Sequence, residues 1–207
     1  MLITKSGNII FEPTIFKKNE IQQAKLIISN FKDAPGILYK ITGVLYVYGW
    51  TILSAKIRTF NQEIEDIFTI EPANNNIIIK QETLEKIELD LYKLLMNELH
   101  MSEYLAYYPD KTRILINSMN AYPDTEVELI PLKNDRYLKI LLKTKDRPGL
   151  LYFISQILYL TDLNILEFEA NTEDHFANDI FIVEKKNQIE FTKTNIKEIK
   201  NLLKKFI

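Results

Sequence analysis

The spacing of apolar and polar positions changes along this chain, and each change marks an element. Residues 24–31 (AKLIISNF) are rich in aliphatic side chains and read as a strand. After a short turn, Ile37, Leu38, Ile41, Val44, Leu45 and Tyr48 recur at helical spacing and form one apolar stripe. Gly49 stands where a left-handed residue would end that helix. Residues 51–60 and 64–71 predict two strands joined by a tight turn at Asn61-Gln62. Pro72 and three successive asparagines predict a loop, and Leu84, Ile87, Leu91, Leu94 and Leu95 predict a helix over 82–100.

The same order of strand, helix, strand, strand and helix then returns. A strand is predicted over 137–144, followed by a helix face of Leu150, Leu151, Ile154, Ile157, Leu158 and Thr161. Strands over 164–172 and 178–185 precede a helix over 194–207, with Ile196, Ile199, Leu203 and Phe206 inward. At an offset of 113 positions, residues 33–71 lie on 146–184 without a gap. Identities include Pro35/Pro148, Gly36/Gly149, Tyr39/Tyr152, Ile52/Ile165, Asp66/Asp179 and Phe68/Phe181. Such register predicts two copies of one small α+β domain.

The expected organisation is an N-terminal arm over 1–22, a first domain over 23–101, a linker over 102–135 and a second domain over 136–207. A hairpin is expected in the arm, from residues 2–4 and 8–11 about Ser6-Gly7, and strands over 113–117 and 126–130 in the linker. Segment 113–117 could complete the first sheet. The second copy ends within its last helix, so its sheet has an open edge position. Either segment 8–11 or part of the linker is expected to cover it.

The repeat concentrates candidate chemistry at two turns, Asp33-Ala34-Pro35-Gly36 and Asp146-Arg147-Pro148-Gly149. Each leads from a strand into a helix, whose first backbone N–H groups can receive a carboxylate. Glycine permits close approach there, and Asp33 or Asp146 could accept from an ammonium group. The expected ligand residues are Asp146, Arg147, Pro148, Gly149 and Leu150 with Asn164 and Ile165, and Asp33, Ala34, Pro35, Gly36 and Ile37 with Thr51 and Ile52. The second set, holding Arg147 and Asn164, is the stronger. Competing readings make each Asp an N-cap, Arg147 a solvated surface residue, and Asp66 and Asp179 partners in structural hydrogen bonds.

Composition narrows the classes. A net charge of −2 argues against a nucleic-acid partner. The chain has no cysteine, and its first residues lack a signal-peptide layout, so a cytoplasmic protein is expected. Uncharged runs such as 148–161 are shorter than the roughly 20 residues of a membrane helix, so no membrane partner is expected. His100 and His175 lack neighbours at metal-ligand spacing, and no nucleophile-plus-base set is visible. No metal, cofactor or catalytic residue is expected.

The strand, D-x-P-G turn, helix and D-I-F strand of each copy resemble the ACT domain. Asp146-Arg-Pro-Gly-Leu-Leu-Tyr152, and Ser54-Ala-Lys-Ile-Arg-Thr59 with Glu65-Asp-Ile-Phe68, are similar to the sensor pair of bacterial PII uridylyltransferase/uridylyl-removing enzymes. The resemblance implies two ferredoxin-like βαββαβ domains, antiparallel sheets side by side and helices on one face. It further implies an amino acid, glutamine above others, held at an ACT–ACT interface and signalled to a partner enzyme of amino-acid or nitrogen metabolism. An asparagine at the place of Asn164 binds ligand in some ACT domains, and a homodimer through these domains would fit the family. The paired aspartates and HD pair of the catalytic domains are absent, so a non-enzyme is expected. The alternatives are a ligand-free oligomerisation or interaction module, or a detached sensor part of such an enzyme.

Overall fold

The computed structural model describes residues 7–15, 21–73, 80–111 and 122–207. Strands β1 (Asn8–Ile15) and β2 (Ile21–Lys32) lead through the first turn into α1 (Ile37–Val47). Next come β3 (Trp50–Phe60), β4 (Glu63–Pro72), α2 (Gln81–Leu95) and α3 (Met101–Ala106). The second repeat begins with β5 (Glu126–Leu132) and β6 (Tyr137–Lys145), then α4 (Leu150–Leu160), β7 (Leu163–Glu173), β8 (Phe176–Lys185) and α5 (Lys193–Phe206). Local chemistry accounts for the breaks. Gly49 is left-handed after α1, as expected, and both tight turns, Asn61-Gln62 and Asp174-His175, have positive φ at both residues. The second helix stops earlier than its apolar spacing suggests, at Leu95, followed by left-handed Asn97.

All eight strands form one antiparallel sheet in the order β1-β2-β4-β3-β7-β8-β6-β5. The α+β class and the side-by-side packing match the expectation. Of the two segments expected to cover the open edge of the second repeat, the linker does so and segment 8–11 does not. Beside β2 lies β1, paired from Asn8↔Ser29 onward, so segment 8–11 covers the first repeat and not the second. The open edge of the second repeat is taken by β5 from the linker, paired Glu126↔Lys143 through Leu132↔Tyr137. A strand hairpinned before each repeat thus occupies the place that a following strand would fill. The expected strand 113–117 and the hairpin arm 2–4 lie outside the described residues.

Alternation along β4 turns Ile64, Asp66, Phe68 and Ile70 toward the helices, and β8 does the same with Ala177, Asp179, Phe181 and Val183. Leu26, Ile28, Ile41 and Leu45 of the first repeat and Ile140, Ile154, Leu158 and Phe168 of the second join them in one hydrophobic core. Phe168 stacks on Phe181 with centroids 4.4 Å apart.

A pseudo-twofold axis runs between the repeats. The β3–β7 ladder pairs Ser54 with Asn171 and Arg58 with Glu167, and at its centre Lys56 faces its own repeat equivalent, Glu169. On the helix side, Thr42 Oγ1 lies 3.1 Å from Ser155 Oγ. The Tyr152 hydroxyl donates to that of Tyr39 at 3.5 Å. These residues too are equivalents. Among the described residues, no helix is long and apolar enough to cross a membrane.

Candidate functional site

Each D-x-P-G turn is anchored to the far hairpin of its own repeat. The Asp33 N–H donates to the Gln62 carbonyl at 2.7 Å, and the Asp146 N–H to the His175 carbonyl at 2.8 Å. Gly36 (φ 90°) and Gly149 (φ 81°) are the helix N-caps, left-handed and without a side-chain capping bond. The cap reading of Asp33 and Asp146 is therefore incorrect: helix geometry starts too late for either carboxylate to reach the cap position. A Cβ on Gly36 would also meet the Tyr159 ring of the other repeat at 2.8 Å. The turn is thus pressed against its neighbour.

The dyad crosses the two sets of candidate residues. A first cavity is lined by Asp33, Ala34, Gly36 and Ile37 from the first turn and by Tyr159, Asn164 and Ile165 from the second repeat. Thr59 and Asp66 also line it. A second cavity joins Asp146, Arg147, Gly149 and Leu150 to Tyr46, Trp50, Thr51 and Ile52 of the first repeat, with Asp179 at its wall. Pro35 and Pro148 shape the turns without lining either space. The pairing of Arg147 with Asn164 is corrected accordingly: antiparallel joining of β3 to β7 sends each turn to the other repeat's strand. Free space is about 20 Å³ in the first cavity and about 40 Å³ in the second, enough for one or a few water-sized particles.

The two spaces differ in what their walls leave unpaired. In the first, Asp33 accepts from Thr59 Oγ1 at 3.1 Å and from the Asn164 side chain, while burial pushes its carboxyl upward against those bonds. Asp66 is 0% exposed and neither of its oxygens has a hydrogen-bond partner of good geometry. Burial first, then Asp33, holds its carboxyl well above the usual range, opposed only by the nearby Arg58 backbone. The expected structural hydrogen bond is at best weak: the Arg58 backbone is the donor near Asp66, and it does not reach either oxygen in good geometry.

In the second cavity the orphaned groups are donors. The guanidinium of Arg147 lies over Tyr122, 5.2 Å from the ring centroid, and its Nη2 donates to the Ile207 carbonyl at 3.1 Å. Its Nε and Nη1 are buried without partners, as is Trp50 Nε1. Arg147 is thus half-buried and held, which corrects its reading as a solvated residue. Burial raises Asp146, while the Arg147 backbone N–H and charge and the His175 charge pull it down. Burial, with Asp146, pushes Asp179 up to about 7. Trp50, Asp66, Asp179, Tyr46 and Tyr159 were not among the expected site residues. The repetition of an Asp on two apolar strand faces was the available signal for Asp66 and Asp179.

No protein-family model matches the chain. It is 26% identical over 152 residues to the bifunctional uridylyltransferase/uridylyl-removing enzyme of Rhodospirillum rubrum, covering 73% of this chain and 16% of that protein. It is also 26% identical over 153 residues to the ACT domain-containing protein ACR3 of Arabidopsis thaliana, covering 74% of this chain and 29% of that one. The chain therefore spans less than a third of either relative. Among solved structures, aspartate kinase from Synechocystis is similar at a TM-score of 0.45 and 14% identity, over 89% of this chain and 26% of that one. That level of likeness bears on neither ligand nor function. The duplicated turns and the paired ferredoxin-like sheets thus go with sequence similarity, over most of this chain's length, to part of the uridylyltransferase/uridylyl-removing enzymes and to an ACT domain-containing protein.

Proposed function

We propose that the chain is a non-catalytic regulatory ACT pair that binds an amino acid, glutamine first among them, at the second turn. It would report binding to a partner enzyme of amino-acid or nitrogen metabolism, with 23–101 and 136–207 as its domains. The observation that supports this reading is that Arg147 and Trp50, which carry buried donors without partners (Nε and Nη1; Nε1), line one space with Asp146. Those are the complements of the two poles of a zwitterion: a guanidinium for the carboxylate and an Asp for the ammonium. Thr51, Ile52, Gly149 and Leu150 would shape the side-chain end.

The mechanism is linkage. About 40 Å³ of free space cannot hold an amino acid, so binding requires the boundary between repeats to open. A ligand then stabilises the wider packing by its differential affinity for the two arrangements, and a partner reads that packing. The test uses Trp50, the protein's single tryptophan. Each of the twenty amino acids, at millimolar concentration, is added while fluorescence and melting temperature are followed. Glutamine should move both, and Arg147→Ala should weaken binding at least tenfold. If none of the twenty moves either signal, the reading fails.

One observation favours the second reading, an interaction module. On the face away from the helices, Ile10, Ile27 and Ile67 stand in one register row with Lys56, Glu169 and Ile180. Ile10, Ile67 and Ile180 are exposed. A silent ligand screen together with concentration-dependent self-association in sedimentation would favour that module.

A further inference from the structure

The first cavity invites a different occupant from the second. Both contain a pair of aspartates at equivalent positions, Asp33 with Asp66 and Asp146 with Asp179. In the second repeat the residue after the turn aspartate is Arg147, which brings a positive charge beside Asp146. In the first repeat that residue is Ala34, and no Lys, Arg or His is among the described residues lining the space. The difference leaves two carboxylates around a water-sized hole, with the deeper one fully buried and neither of its oxygens in a hydrogen bond of good geometry.

A carboxylate in that position must either keep a proton or meet a cation, since an isolated buried charge is strongly disfavoured. The wall suits a cation. Thr59 and the Asn164 side chain already donate to Asp33, which stabilises its charged form, and Asp66, on the wall of the same space, has two buried oxygens without a hydrogen-bond partner of good geometry. A space of about 20 Å³ admits one particle of water size and excludes larger organic amines. The described residues contain no cluster of three or more His, Cys, Asp or Glu side chains that could hold a divalent or transition metal. Helix α1 cannot supply an anion seat here, because Tyr159 covers Gly36 at its start.

We infer that the cavity between the first turn and β7 is a monovalent-cation site for ammonium or potassium, with Asp66 and Asp33 as its acceptors, standing in for the charge that Arg147 supplies in the second repeat. The site lies across the joint between repeats. Its occupancy would therefore brace the same boundary that the amino acid must open, although the inference does not depend on amino-acid binding.

The test is thermal unfolding of the whole chain in chloride salts at one ionic strength. Ammonium, potassium and rubidium are compared with tetramethylammonium, which is too large for the space. Ammonium or potassium should raise the melting temperature by roughly 5 °C over tetramethylammonium. Asp66→Asn and Ala34→Arg should each remove that difference, the first by deleting the charge and replacing one acceptor oxygen with a donor, the second by supplying an internal cation. A rise with ammonium alone would assign the site to a hydrogen-bonding cation; a rise with potassium and rubidium as well, to any cation of that size. Should either variant fail to fold, rubidium anomalous scattering from crystals of the unmodified chain gives the answer, with a peak expected between Asp33 and Asp66. Equal melting in all four salts, or crystals without that peak, would overturn the inference and leave Asp66 as a protonated acid. Trp50 lies at the other cavity, so a failed amino-acid titration and a failed cation test are separate results.

Discussion

The two turns share a sequence pattern, a backbone and a position against the opposite repeat, yet they close on unlike spaces. At the first, buried acceptors lack partners; at the second, buried donors do. One substitution between the repeats, Ala34 against Arg147, accounts for much of the difference in charge. The aromatic residues also differ in what they meet. Tyr159 lies flat enough against Gly36 to leave no room for a Cβ and carries Lys186 over its ring at 4.1 Å, whereas its equivalent, Tyr46, stands beside Trp50 and Thr51. A duplicated fold thus becomes an asymmetric pair through a few side chains at the joint.

The largest expected effect concerns acid. Asp179 moves from an ordinary 3.8 to about 7 in the fold, so the native state binds a proton that the unfolded chain releases. Its contribution to stability is full below about pH 4 and is lost as the pH rises through 7. By 1.4 kcal/mol per unit, the range is at most about 4 kcal/mol. Denaturant midpoints measured from pH 4 to 8 should show the Asp179→Asn variant losing less stability with rising pH than the parent. Parallel curves would mean that Asp179 titrates normally.

Next in size is the joint at the first turn. Gly36→Ala forces a left-handed alanine and a contact with Tyr159, for a cost of about 2 kcal/mol or more. Part of that loss should return when Tyr159→Ala is added, because the ring is the obstacle. Strict additivity of the two changes would contradict the close approach. The smallest effect belongs to the dyad itself. Lys56 and Glu169 lie 3.7 Å apart, but their side chains are 49% and 63% exposed. A double-mutant cycle should give a coupling below about 0.5 kcal/mol, so the repeats are joined by their ladder and helices and not by this ion pair.

Much of the architecture was legible because it rests on local patterns. The D-x-P-G turns, the left-handed Gly49 and the hairpins at Asn61-Gln62 and Asp174-His175 follow from residues that favour those backbones. The gapless repeat carried the pairing of units. The edge strands were only half legible: an alternating segment such as 126–130 announces a strand but not which sheet accepts it, since either open edge offers the same backbone bonds. The candidate site was harder still. Asn164 and Arg147 belong to one repeat in sequence, and only the antiparallel meeting of β3 and β7 separates them into different cavities. Asp66 stands out in the sequence as a carboxylate on an apolar strand, but which groups surround it depends on the packing of the whole repeat. Trp50 is the instructive omission. Its neighbour Thr51 was named, and the indole, whose N–H is orphaned, lines the same space.

The most direct measurement is a titration of Trp50 fluorescence with L-glutamine, run in parallel on the parent chain and on Arg147→Ala. Saturable quenching or enhancement in the parent, with the midpoint shifted at least tenfold upward in the variant, is the expected result. A response of the same midpoint in both proteins would contradict the assignment of the carboxylate to Arg147. No response in the parent to glutamine or any other amino acid would contradict the ligand-binding account of the second turn.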